Sequence, residues 1–104
     1  MAKILIHLTH GPEAPTQADR AFLIAKTAIR EGHKVSMFLA GSAVQLIKNE
    51  YLDSTIGIGD GVTRLRESFD EIVSGGGDIY LSRISCGARG VNEQELEGKK
   101  IEIA

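Results

Sequence analysis

Short apolar runs along this chain alternate with stretches whose apolar residues return every three or four positions. Lys3 to Leu8 reads Lys-Ile-Leu-Ile-His-Leu. A short apolar run bounded by turn residues predicts a buried strand. The segment Thr9-His10-Gly11-Pro12-Glu13-Ala14-Pro15 is a loop, marked by its glycine and two prolines. From Thr16 to Gly32 the residues Ala18, Ala21, Phe22, Ala25, Ala28 and Ile29 fall on one face of a helix. Thr16 is the expected amino-terminal cap, and Gly32 the carboxyl-terminal stop.

Lys34 to Leu39 predicts a second strand, and Ala40-Gly41-Ser42 turns into a short helical stretch through Val44, Leu46 and Ile47. Tyr51 to Gly61 carries no clear period. Gly57, Gly59 and Gly61 mark it as a loop. Val62, Leu65, Phe69, Ile72 and Val73 form the face of another helix, capped by Asp60 or Thr63 and stopped by Gly75-Gly76-Gly77. Asp78 to Ser82 is a third strand. Arg83 to Gly90 is a tight turn or short helix, and Lys100 to Ile103 a last short strand. The order β-α-β-α-α-β-α-β favours a small, mostly parallel open sheet with helices packed on it, an α/β class.

At 104 residues the chain is read as one domain spanning 1–104. A net charge of −2 argues against a broad basic footprint for nucleic acid or an anionic membrane. No apolar run reaches the length of a membrane span, and no secretory-leader pattern opens the chain. One cysteine makes no internal disulfide and fits a reducing compartment, so a cytoplasmic location is expected. The three histidines and the cysteine are scattered without metal-ligand spacing, so no metal site is expected. Gly57-Ile58-Gly59-Asp60-Gly61 lacks both nucleotide-loop spacings, so no cofactor is implied either.

Ligands of open parallel sheets bind beyond the carboxyl ends of the strands. There the topology gathers His10 and Gly11 after the first strand, Ser42 after the second, and Ser82 to Cys86 after the third. Cys86 is the sharpest candidate. The thiolate is the nucleophile, and its pKa falls beside cations or at a helix amino terminus. Arg83 and Arg89 are close in sequence to favour the anion. The alternative is a small buried hydrophobe packing the turn. His10 is a candidate acid, base or partner to Cys86, or else a loop histidine tied to the Gly11-Pro12 turn. His7 is expected as a satisfied strand residue, and His33 at a helix carboxyl end. Glu93, Glu95 and Glu97 read as a solvated face.

Several segments together resemble the DsrE/DsrF-like family. They are Lys3 to Glu13, Ala21 to Ala28, Glu31 to Leu39, and Gly75 to Ser82 running into Ala88-Arg89-Gly90-Val91. The resemblance implies a three-layer α/β/α fold assembled as trimers or hexamers. It also implies sulfur relay, with sulfur held as a persulfide on a cysteine of the turn after the third strand. Many family members carry that cysteine at the strand end, the position of Ser82, whereas Cys86 lies four residues later. Members usually continue past Ile101-Glu102-Ile103 with one more helix and strand. The expectation is therefore a short member or a sheet edge completed by another subunit.

Two expectations of function follow. One is a sulfur carrier or sulfurtransferase-like subunit acting through Cys86, with Arg83, Arg89 or backbone amides steadying the thiolate and a sulfur-donor or acceptor protein as partner. The other is a non-catalytic oligomeric module that binds a small anion or metabolite at the same edge. A redox-sensing thiol is a third reading, weakened by the lack of a resolving cysteine.

Overall fold

A computed structural model of the chain describes residues 2–55 and 64–104. The Gly57–Gly61 run, the cap candidates Asp60 and Thr63, and Val62 lie outside the described residues. Four strands, β1 (Lys3–Leu8), β2 (Lys34–Leu39), β3 (Asp78–Leu81) and β4 (Ile101–Ile103), form one sheet in the order β1-β2-β3-β4. Every neighbouring pair is parallel, with Leu8 beside Leu39, Leu39 beside Leu81, and Leu81 beside Ile103. The carboxyl ends of all four strands are thereby aligned along one edge.

Among the described residues the helices are α1 (Pro15–Arg30), α2 (Asn49–Ser54), α3 (Leu65–Ser74) and α4 (Arg83–Arg89), with 3-10 turns at Gly41–Ile47 and Glu93–Leu96. α1 follows the predicted period, and Ala18, Phe22, Ala25 and Ala28 are buried. Its cap is not Thr16. Pro15 occupies the first helical position and Ala14 the cap, without a side-chain hydrogen bond. The fixed φ of proline suits that first position, so Pro15 starts the helix one residue before the expected cap. α1 and α3 end alike. Gly32 (φ 87°) and Gly76 (φ 91°) take the left-handed conformation. The N–H groups of His33 and Gly77 then reach back to the carbonyls of Ala28 and Ile72, at 3.0 and 2.9 Å. α2 falls where the sequence showed no clear period. Leu52 is its one buried side chain.

A parallel sheet whose strands follow one another in sequence order, joined by right-handed crossovers, collects its helices on one face. On that face Val35, Met37, Leu39, Ile79 and Leu81 join Phe22, Leu65, Phe69 and Ile72 in the core. The other face carries Leu5, His7, Phe38, Tyr80 and Glu102, and none of them is buried. His7 and Phe38 stack there with ring centroids 5.6 Å apart. The α/β class and the open parallel sheet are as expected. The second helical layer implied by the resemblance is not supplied by the described residues. β1 is correspondingly less buried than its apolar run suggests, with Leu5 69% exposed.

Candidate functional site

The loops after β1, β2 and β3 meet at the carboxyl edge and are joined by side chains. Gly11 N–H donates to Ser42 Oγ at 3.0 Å and to the two Glu13 carboxylate oxygens at 3.1 and 3.2 Å. Ser42 Oγ in turn donates to the Thr9 carbonyl at 3.4 Å. Gly11 is buried against the second loop so closely that a Cβ there would lie 2.2 Å from the Ser42 carbonyl oxygen. Only glycine lets the two loops approach this far. Gly41 N–H donates to Ser85 Oγ at 2.8 Å, which ties the second loop to α4. Ser82 caps α4, accepting from Ser85 N–H at 3.4 Å. Its own N–H donates to the Leu39 carbonyl at 2.9 Å.

The edge deduced from topology is therefore assembled in two adjoining hydrogen-bonded groups, Gly11 with Ser42 and Gly41 with Ser85 and Ser82. Two members were not singled out from sequence. Ser85 joins two loops by accepting from Gly41 N–H, 44 residues away, whereas Glu13 accepts from Gly11 N–H within its own loop. Both had a local signal: Glu13 lies two residues after Gly11, and Ser85 three residues after the strand-end Ser82, in the spacing of a helix first turn.

The Glu13 carboxyl is held below its ordinary range. The Ser42 hydroxyl is the main cause; burial opposes it, and backbone amides and the nearby His10 add smaller pulls in the same direction as Ser42. His10 itself is exposed, beside this carboxylate rather than within the hydrogen-bonded set.

Cys86 is the fourth residue of α4, and its N–H already donates to the Ser82 carbonyl at 2.9 Å. It is therefore past the open donors of the helix start. Its side chain is 4% exposed and belongs to the core cluster. Burial pushes the thiol pKa above its ordinary value. Arg83 pulls it down as expected, but by less, and Glu95 adds to the rise. Of the two readings of Cys86, its burial fits the small hydrophobe packing the turn: at this degree of burial, desolvation of the thiolate outweighs the neighbouring guanidinium. Arg83 and Arg89 both face outward. Arg83 also lines an open groove of about 620 Å³ along β4, with Glu93, Gln94, Leu96 and Glu102 among its walls. No group of three or more His, Cys, Asp or Glu side chains suited to a metal ion occurs among the described residues. None of their helices is long and apolar enough to cross a membrane.

In chemical terms the edge offers one masked thiol on a short helix, hydroxyls at Ser42, Ser82 and Ser85, and cationic side chains outside. A comparison with protein-family models finds a match to the DsrE/DsrF-like family over residues 2–104. No curated protein matches the chain.

Proposed function

The chain belongs to the DsrE/DsrF-like family, and on that premise we propose that it is a sulfur-relay subunit carrying sulfur as a persulfide on Cys86. The observation that carries this reading is the position of the lone cysteine. Cys86 lies in the turn after β3, at the edge where the loops of three parallel strands converge. The step is a thiol–persulfide exchange. The Cys86 thiolate attacks the terminal sulfur of a donor R–S–SH. The donor S–S bond breaks, a new S–S bond forms on Cys86, and R–S⁻ leaves. No external oxidant or reductant is needed. Arg83 favours the attacking anion. Ser82 and Ser85 set the helix that carries it. His10, Gly11, Ser42 and Arg89 complete the edge toward a sulfur donor or acceptor protein. The subunit works as a cytoplasmic homo-oligomer, a trimer or hexamer, consistent with a parallel sheet that leaves one face uncovered in the single chain.

The burial of Cys86 favours a second reading, a module that binds a small anion or metabolite at the same edge without covalent chemistry. Loading separates the two. Reduced protein treated with inorganic polysulfide gains a reductant-labile sulfur in the first reading, and the Cys86→Ser variant gains none. Equal behaviour of the two proteins supports the second.

A further inference from the structure

Cys86 is the only buried side chain of α4. Arg83, Ile84, Gly87, Ala88 and Arg89 all face outward, and Ile84 is 86% exposed. Beyond that one side chain, α4 is held by the Gly41–Ser85 hydrogen bond and by Arg83 N–H donating to the Ala104 carbonyl at 3.0 Å. Buried Val91 follows just after the helix. A seven-residue helix is not stable alone in water, so these ties are what keep it folded against the Gly41–Ile47 turn. Segments with so few buried apolar contacts open locally well before the whole domain unfolds.

We propose that α4 is a latch whose anchor is the reactive group itself: Cys86 is reached only when α4 lifts from the Gly41–Ile47 turn, and a sulfur added to its Sγ then holds the helix off. The second half follows from packing. A core seat is filled to near crystal density, and an added heavy atom forces strain or displacement. Displacing a short helix with one buried side chain is the easier outcome. The empty and loaded subunits thus present different surfaces to a protein partner. The empty form shows Ile84 with the thiol hidden. The loaded form has α4 undocked and the outer sulfur accessible for transfer. This deepens the sulfur-carrier reading and rests on it for its purpose, but access to the thiol is tested without any sulfur donor.

The experiment measures alkylation of Cys86 by iodoacetamide across urea concentrations below the unfolding transition, in wild type and in Ser85→Ala. A latch gives a rate far below that of a free thiol, with a urea dependence much shallower than that of global unfolding. Ser85→Ala, lacking the Gly41 tie, reacts about three- to tenfold faster. If that variant does not fold, the wild-type urea dependence decides. Methyl methanethiosulfonate then places S–CH₃ on Cys86, with methanesulfinate leaving, as a stand-in for the loaded state. Hydrogen exchange at the Cys86 and Val91 amides is expected to accelerate in the adduct while the β2 and β3 amides keep their protection. Labelling with the full urea dependence of global unfolding, labelling at the free-thiol rate, or unchanged exchange in the adduct overturns the latch. Opening without any uptake of sulfur from polysulfide leaves the latch standing and overturns the carrier reading instead.

Discussion

Ser85 Oγ accepts a 2.8 Å hydrogen bond from the N–H of Gly41, across 44 residues of chain. This bond joins the loop after β2 to the helix that follows β3. It sets α4 so that Cys86, one residue on, turns into the core. The same serine is thus a brace for the carboxyl edge and a restraint on its only thiol.

The opposite end of the edge depends on Gly11. Its missing side chain lets the first loop lie against the Ser42 carbonyl. Gly11→Ala is expected to destabilise the domain by about 1–3 kcal/mol, the range for forced overpacking. Urea unfolding checks this, with the loss appearing in the midpoint rather than in the slope.

Acid stability is expected to depend in part on Glu13. Its folded pKa lies below the ordinary 4.5, chiefly through the Ser42 hydroxyl. The stabilisation is therefore fully present above about pH 4.5 and is lost as pH falls through the lowered folded value. Glu71, bonded to Arg30, and Asp53, bonded to Arg66, are lowered in the same direction and share the acid limb. Glu13→Gln should flatten that limb without abolishing it, as read from melting temperature against pH.

Cys86 acts on the alkaline side with the opposite sign. Its neutral thiol is favoured by burial, so this contribution is present below the ordinary 9.0 and is lost as pH rises through the raised folded value. Cys86→Ala should retain its alkaline stability better than wild type. Thermal melts between neutral and alkaline pH make that comparison.

The start of α1 offers a direct contrast between expected and observed caps. Thr16 lies inside the helix and makes no cap bond, so Thr16→Ala should fall within about 0.5 kcal/mol of wild type. Ala14 holds the cap position bare, and Ala14→Ser is expected to stabilise by about 0.5–1 kcal/mol. Paired denaturation curves decide both.

Ile84 and Leu46 test where the apolar energy of the α4 region lies. Ile84→Ser should change stability by less than about 0.5 kcal/mol, because that side chain is already in water. Leu46→Ala, fully buried in the turn beneath α4, should cost about 2–5 kcal/mol.

Much of the fold was legible where one period dominated. Lys3–Leu8 and Lys34–Leu39 are strands with the bounds read from their apolar runs, and the glycines at 32 and 76 stop helices as expected. α2 was not legible, because Leu52 alone marks its buried side. The exposure of Leu5 was hidden for a tertiary reason. Ile4-Leu5-Ile6 looks buried on both faces, and only the strand order shows that the helices gather on one. At the site, topology placed His10, Ser42, Ser82 and Cys86 on one edge, with Gly11 in the same loop as His10. The masking of Cys86 was not readable beside Arg83 and Arg89. Sequence proximity to charge does not reveal which way a helical side chain turns. Nor did the chain betray that Ser85 joins two loops, since its partner, Gly41 N–H, is brought close only by the fold.

The most direct measurement follows one sulfur atom on and off Cys86. Reduced protein is loaded with inorganic polysulfide, freed of excess reagent, and mapped by mass. It is then treated with cyanide, which takes the outer sulfur as thiocyanate and returns the thiolate. The expected result is one labile sulfur on Cys86, thiocyanate equal to the protein-bound sulfur, and recovery of the starting mass. A native protein that takes up no sulfur on Cys86, or that holds it inert to cyanide, is not a persulfide carrier.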